Sequence, residues 1–347
     1  MSNASPSVAI IGAGIAGATA AQALARAGHA VQLFDKARGP GGRLATRRME
    51  WPDREGRATT TALDHGALGF ACRSAAFQAF ADAAVASGCL RTWSPTLAAG
   101  SLPLEERGPL YIGAPDMPAL CRHMLNGLPA RWSFAVDSLQ RGPNGWQLRA
   151  GDGEPTPAFD AVVLALPPAQ AAPLLQAHRA DRAWQASLAW MQPCWTLMGV
   201  ADETQPEPDW DLAQPATGPL AWVLRNDQRP GRARVPGQAH WVVHARAGWS
   251  RQHLEQPAAW VQQQMQAALA EWLGRPVDWH HCTVHRWRYA MPRASGSDPI
   301  ASGWWDAAQG LGVCGDFLGG HGVEGAWLSA QALAAAASAA LAQRLAA

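Results

Sequence analysis

Four consecutive apolar residues, Val8 to Ile11, are followed at once by glycines. A short unbroken apolar run is what a parallel strand buried on both faces requires. Ala16 to Ala27 consists of good helix formers and stops at Gly28, as a helix does at a C′ glycine. A second strand, Ala30 to Phe34, ends in Asp35. Ala161 to Leu166 is a third apolar strand, stopped by Pro167 and Pro168, and Leu311 to Cys314 is a fourth. Ala258 to Leu273 has the pattern of an amphipathic helix, and from Val323 an Ala-rich helix runs toward Gln343. Asp278 to His285 alternates, so it predicts a strand with neighbouring histidines on opposite faces, not a metal site. Residues 206–209 and 229–237 read as exposed turns. No internal repeat is present. The sequence of elements predicts an α/β fold built on a Rossmann-type unit.

Composition narrows the class. A chain of 347 residues has room for two domains sharing one body. A formal charge of +1 argues against a nucleic acid or an anionic membrane as partner. Six cysteines without a Cys-x-x-Cys pair read as reduced thiols. The N-terminus has no signal-peptide pattern, and no unbroken apolar run reaches the roughly 18 residues of a membrane span. A soluble, cytoplasmic protein is expected. Lys36 is the only lysine among 28 basic residues.

Between the first strand and first helix stands Gly12-Ala-Gly14-Ile15-Ala16-Gly17. The strand–turn–helix–strand context makes this a dinucleotide fingerprint. Gly12 permits the tight turn, Gly14 lets the backbone approach a pyrophosphate, and Gly17 lets helix and strand pack closely. The phosphates then sit at the helix N-terminus, with Ile15 and Ala16 in contact. Asp35 can accept from ribose hydroxyls, and Lys36 lies beside them. Directly after comes Arg38-Gly-Pro-Gly41-Gly42-Arg43. An NAD domain has no reason for such a loop, whereas a flavin dinucleotide needs a second clamp, with Gly42 and the Arg43 fork near its phosphates. Leu63-Asp64-His65-Gly66-Ala67-Leu68 can bring small residues against the isoalloxazine ring. Phe134-Ala-Val136 suits an adenine-contacting strand, although a plain core strand explains it equally.

Near the C-terminus, Gly315-Asp316 is followed by Val323-Glu324-Gly-Ala326-Trp-Leu-Ser329. Asp316 is expected on the ribityl chain, and the helix N-terminus, through Val323 and Ala326, at the flavin ring. Glu324 either contacts the ring or caps its helix. His321 reads as a loop residue. A cofactor gripped by segments this far apart is long, and FAD fits.

These motifs, with Trp222-Val-Leu-Arg225-Asn226, Trp241-Val-Val-His244, Trp249-Ser-Arg251-Gln and His285-Arg-Trp287-Arg-Tyr289, resemble the renalase branch of the flavin amine-oxidase superfamily over nearly the full chain. The resemblance implies a p-hydroxybenzoate-hydroxylase-like fold with noncovalent FAD. It implies oxidation of the 2- and 6-dihydro isomers of NAD(P)H to NAD(P)⁺, with oxygen as acceptor and hydrogen peroxide as product. The FAD-binding domain is expected to be discontinuous, over residues 1–70, 110–170 and 284–347. An α+β substrate domain is expected over 71–109 and 171–283. The chain departs from the branch at Leu68-Gly69, where Gln-Tyr is usual. Many amine oxidases of the superfamily hold a water at flavin N5 with a lysine, and Lys36 is assigned to the other end. Candidate substrate contacts are His244, Arg225, Asn226, Trp195 and Trp287, with core packing or a solvated loop the alternative for each. A flavin amine oxidase, another FAD-dependent dehydrogenase or desaturase, and a noncatalytic FAD-binding protein remain as competing readings.

Overall fold

Ser7–Ile11 lies between Ala30–Phe34 and Ala161–Leu164, parallel to both, with Val8 aligned on Val31 and Ala161. These three strands belong to a six-stranded sheet in a computed structural model that describes residues 5–53, 55–104, 108–178, 191–203, 208–292, 303–320 and 322–346. His321 and residues 206–207 of the expected 206–209 turn fall outside that set. The sheet order is Trp304–Asp306, Leu311–Val313, Ala161–Leu164, Ser7–Ile11, Ala30–Phe34 and Ala130–Arg131, with the Trp304–Asp306 edge antiparallel. Val8, Ala9 and Ile10 are fully buried, which accounts for the unbroken apolar run.

Helix Ile15–Arg26 packs on the C-terminal helix Gly322–Ala346, and buried small residues of both, including Ala18, Ala21, Ala330 and Ala337, belong to one core. Gly322–Arg344 is long and apolar enough to cross a membrane by length and composition. Within the fold its Ala330, Leu333, Ala337 and Leu341 belong to the main core.

A second, antiparallel sheet has five strands in the order Leu212–Ala213, Leu220–Arg225, Gln238–Ala245, Met191–Asp202 and Trp279–Pro292. Strand alternation gives it two different faces. Leu197, Val223 and Val243 point to a core completed by Val261, Met265 and Leu269 of helix Ala258–Leu273. Met198, Val200, Leu224 and Val242 point the opposite way and join the core of the first sheet. In register on this second face lie Trp222, His244, Thr196 and His285, one from each of four adjacent strands.

Trp279–Pro292 pairs with Met191–Asp202 on both sides of residue 284, so the expected domain boundary falls inside one strand. Leu90–Trp93 pairs with Leu110–Gly113, which ties the 71–109 segment to the residues after it. His280 meets Asp202 at 2.5 Å, whereas His281 stacks on Trp51 with ring centres 5.3 Å apart. Among the described residues no three His, Cys, Asp or Glu side chains converge as a metal site.

Candidate active site

A cavity of ≈ 1590 Å³ runs between the two sheets. That exceeds the roughly 300–1,000 Å³ of ordinary small-ligand pockets. It has room for a long cofactor and a substrate beside it.

The glycine loop forms one end. Gly12 adopts φ +104°, and a Cβ there would stand 2.5 Å from the Ala165 carbonyl oxygen. A Cβ on Gly17 would meet the Gly12 carbonyl oxygen at 1.8 Å, so helix and strand require glycine at both positions. Gly14 differs: the nearest atom to an added Cβ is the Gly42 Cα at 3.7 Å. Protein packing does not demand glycine at 14, and the space in front of it belongs to the cavity. The space left there is where a dinucleotide-binding turn lets a pyrophosphate approach the backbone. Gly41, bridged to Gly14, and Gly42, φ +57°, bring the second glycine loop against the first.

Asp35 Oδ2 accepts from the Ala13 N–H at 2.6 Å, and Oδ1 from the Ala37 N–H at 2.8 Å. The carboxylate is thus fixed at the cavity border, with lone pairs left for ribose hydroxyls. Lys36, Phe134 and Val136 border the same end. Across the cavity Arg43 donates from Nη1 and Nη2 to the two oxygens of Asp316, both at 2.7 Å, and Nη1 also reaches the Ala290 carbonyl at 3.1 Å. Gly66, Ala67 and Leu68 supply a wall, and Val323 and Ala326 bring the start of the C-terminal helix to it.

That wall is held from behind. Asp64, with no exposed side-chain surface, accepts from Arg229 Nη1 and from Arg232 Nε, both at 2.7 Å, on one oxygen. Arg229 also donates to the Leu68 carbonyl. Both arginines come from the 229–237 segment read as exposed turns; residues 231 and 233–237 are exposed as expected, whereas Asp64 draws the Arg229 and Arg232 guanidinium groups into the core. Trp287 Nε1 donates to the His65 carbonyl at 3.0 Å, and the Trp287 ring stacks on His65.

On the second sheet Trp222, His244, His285 and Trp287 border the cavity. Burial, followed by the neighbouring His285, pushes the His65 imidazole down to about 3. Burial pushes His244 down to about 4 and also lowers His285. These histidines are neutral near pH 7. Cys194 and Cys314 also border the cavity, and burial raises both thiols to about 12, which excludes a ready thiolate.

Five assigned residues do not reach the cavity. Trp195 lies on the opposite sheet face from His244, and its Nε1 donates to the His253 carbonyl at 3.0 Å. Arg225 is buried against Asp227, with Nη2 2.9 Å from the carboxylate, and its guanidinium lies over the Trp241 ring. Asn226 Oδ1 accepts from the Asp64 N–H at 3.3 Å. Gly17 serves the helix–strand contact. Glu324 accepts from the backbone N–H groups of Arg73 at 2.7 Å and Ser74 at 2.8 Å, so it caps a different helix, Ala75–Ala86, rather than meeting a ring or its own helix. Missed by sequence reasoning were Asp64, Arg229 and Arg232 as a unit, whose members lie about 165 positions apart and carry no local signal.

A Rossmann sheet facing a second antiparallel sheet across a dinucleotide-sized cavity is the architecture of a dinucleotide-binding protein. The chain matches the NAD(P)-binding Rossmann-like domain over residues 10–84 and the flavin containing amine oxidoreductases over residues 74–338, and it belongs to the latter family. FAD is therefore its cofactor. Similar solved structures share the fold. A candidate protoporphyrinogen oxidase from Exiguobacterium sp. 255-15 aligns with TM-score 0.71 and 13% identity, covering 96% of this chain and 99% of its own. Cyclohexylamine oxidase from Brevibacterium oxydans IH-35A aligns with TM-score 0.62 and 13% identity, covering 99% and 100%. An oxidoreductase from Methanosarcina mazei aligns with TM-score 0.56 and 17% identity, covering 93% and 98%.

Proposed function

We propose that the protein is a renalase-like oxidase that takes a hydride from 2- or 6-dihydro isomers of NAD(P)H, releases NAD(P)⁺, and passes the electrons to oxygen as hydrogen peroxide. FAD, held noncovalently, supplies the electron-pair acceptor. On this reading residues of the first sheet bind the cofactor, residues of the second sheet form the substrate side, and the enzyme works in the cytoplasm.

One observation carries the reading. The second-sheet wall offers imidazoles held neutral and poorly basic, His244 at about 4 and His65 behind it at about 3. The lone lysine, Lys36, borders the cavity beside Asp35 at the opposite, nucleotide end. An alkylammonium substrate must lose a proton before hydride can leave the carbon next to nitrogen, and such a wall is a poor acceptor. A dihydropyridine arrives neutral with its nitrogen lone pair already available. It needs orientation against the flavin, which the Gly66–Leu68 wall, Trp222 and Trp287 can provide. Arg246 at the cavity border, bonded to the Gly218 and Pro215 carbonyls rather than to a carboxylate, leaves a positive charge there that disfavours a cationic substrate. The likeness to a cyclohexylamine oxidase keeps amine oxidation as the alternative.

The test is anaerobic mixing of the FAD-loaded enzyme with a misreduced NADH preparation while flavin absorbance is followed. Rapid bleaching is expected. Bleaching by a primary amine and none by dihydronicotinamides overturns the proposal in favour of the alternative.

A further inference from the structure

Arg246 follows strand Gln238–Ala245 directly and keeps extended backbone, two residues past His244. Strand alternation therefore sets it on the His244 side of the sheet, about 6.8 Å farther along. It borders the cavity there. The loop 215–219 holds it from the other side. Its backbone N–H donates to the Pro219 carbonyl at 2.7 Å, its Nε to the Gly218 carbonyl at 3.0 Å, and its Nη2 to the Pro215 carbonyl. Neither Pro215 nor Gly218 borders the cavity. Nε and Nη2 share one edge of the planar guanidinium, so that edge is turned to the loop. The fork between Nη1 and Nη2 points away from it, and none of the bonds Arg246 makes among the described residues goes to a carboxylate.

The other cations on the cavity border each have an acid at hand. Lys36 follows Asp35 at the nucleotide end, and Arg43 is paired with Asp316. Arg286 and Arg288 share Glu255. Arg246 stands apart from these. Holding a long side chain by two carbonyls costs rotamer freedom that a solvated arginine keeps. What the two bonds leave is a pre-set pair of donors, the arrangement with which arginine takes a phosphate at two oxygens.

We infer that Arg246 is a specificity-determining residue that takes the 5′-phosphate of a nicotinamide nucleotide through its Nη1–Nη2 fork. The inference deepens the dihydronicotinamide reading and rests on it for the identity of the ring. With the ring beside Trp222 and His244, the ribose spans the two-residue step along the strand and brings its phosphate to Arg246. The substrate class is then the phosphorylated nicotinamide nucleotides, and the riboside is a poor fit.

The test is isothermal titration calorimetry of the FAD-loaded protein with nicotinamide mononucleotide and with nicotinamide riboside, which differ only in that phosphate. Wild type is expected to bind the mononucleotide about tenfold more tightly or better. Arg246→Gln is expected to lose that preference, and Arg246→Lys, which keeps the charge without the fork, to recover part of it. Added salt is expected to shrink the wild-type preference. Equal binding of the two compounds by wild type, no binding of either, or an unchanged preference in Arg246→Gln overturns the inference. A fall in the flavin content of Arg246→Gln overturns it too, by giving the fork to the cofactor. Inorganic phosphate, titrated against wild type at constant ionic strength, gives a reading that needs no variant. It is expected to displace the mononucleotide and leave the riboside bound, and failure to displace the mononucleotide overturns the inference. The preference is read without turnover, so it stands or falls separately from the oxidase assay. An Arg246-dependent preference with no oxidation of dihydronicotinamides keeps the phosphate subsite and removes the proposed reaction. Oxidation without a preference does the reverse.

Discussion

Arg43 and Asp316, 273 positions apart in sequence, form a two-pronged ion pair with both N–O distances 2.7 Å. It closes the second glycine loop onto the segment that begins the C-terminal helix, and both residues border the cavity. The two glycine-rich ends of the chain are therefore joined by one contact at the cavity border. Asp316 is almost wholly buried, so Asp316→Ala takes the carboxylate from the Arg43 fork and leaves it only the Ala290 carbonyl. The expected outcome is colourless protein as purified and a loss of about 2 kcal/mol in thermal or urea unfolding of the cofactor-free form. Retention of full flavin absorbance by Asp316→Ala contradicts the assignment.

The two outer glycines of the fingerprint and the middle one serve different purposes, and a methyl group separates them. Gly17→Ala is expected to fail as a folded protein, because the new Cβ would sit 1.8 Å from the Gly12 carbonyl oxygen. Gly14→Ala meets nothing closer than 3.7 Å. Its cofactor-free stability is expected within about 0.5 kcal/mol of wild type, as for substitutions that disturb no packing. FAD affinity is expected to fall at least about tenfold, by fluorescence titration of the apoprotein. Equal FAD affinity, or equal folding of both variants, removes the pyrophosphate from this position.

What the sequence disclosed follows from the range of the interactions. Helix Ala258–Leu273 is legible to the residue because Val261, Met265 and Leu269 recur every fourth position and Gly274, at φ +68°, ends it in a left-handed turn. The glycine fingerprint is legible because its strand, turn, helix and second strand are contiguous. Trp195 is a different matter. Even with its strand, Met191–Asp202, given, which of the two faces meets the cavity depends on how the second sheet docks, and that is a tertiary fact. Arg225 and Asn226 look like free strand-end groups until Asp227 and the Asp64 backbone claim them.

Asp64 is the clearest case of a determinant with no local signature, and its removal has a large expected cost. Its carboxylate and the Arg229 side chain are fully buried, and Arg232 is nearly so. Asp64→Ala leaves two buried guanidinium groups without their carboxylate, a change expected to cost roughly 3–5 kcal/mol. It also frees Arg229, whose other amino group holds the Leu68 carbonyl at the cavity wall. Urea unfolding measures the first effect, and a shift in the visible flavin spectrum of any folded fraction measures the second. A loss under about 1 kcal/mol places the pair in the class of surface ion pairs and removes its structural role.

His65 and His244 give stability a pH dependence whose sign is fixed by burial. Folded values of about 3 and about 4 lie below the ordinary 6.5. Above 6.5 neither the folded nor the unfolded state holds the extra proton, so the histidines contribute no slope. As pH falls from 6.5 toward about 4 the unfolded chain takes up protons that the folded protein excludes, and stability drops. Each imidazole contributes up to about 1.4 kcal/mol per pH unit in that window. His65→Gln and His244→Asn are each expected to show a shallower decline than wild type in urea unfolding between about pH 7 and about pH 4.5. Parallel curves for variants and wild type show that these imidazoles are protonated in the folded state.

Glu324 separates a structural from a cofactor role most cleanly. It stands in the first turn of the C-terminal helix, where a carboxylate ordinarily serves its own helix dipole. Instead its two oxygens accept from the Arg73 and Ser74 N–H groups, 251 and 250 positions away, while Ser74 Oγ accepts from the Phe77 N–H to cap helix Ala75–Ala86. Glu324→Gln keeps one acceptor and is expected to be nearly neutral. Glu324→Ala removes both, leaves two N–H groups at a helix start without partners, and is expected to cost about 1–2 kcal/mol. Flavin content is expected to match wild type in both variants, because neighbouring Val323 and Ala326, not Glu324, border the cavity. Loss of flavin from Glu324→Gln at unchanged stability reverses the assignment and returns this carboxylate to the ring.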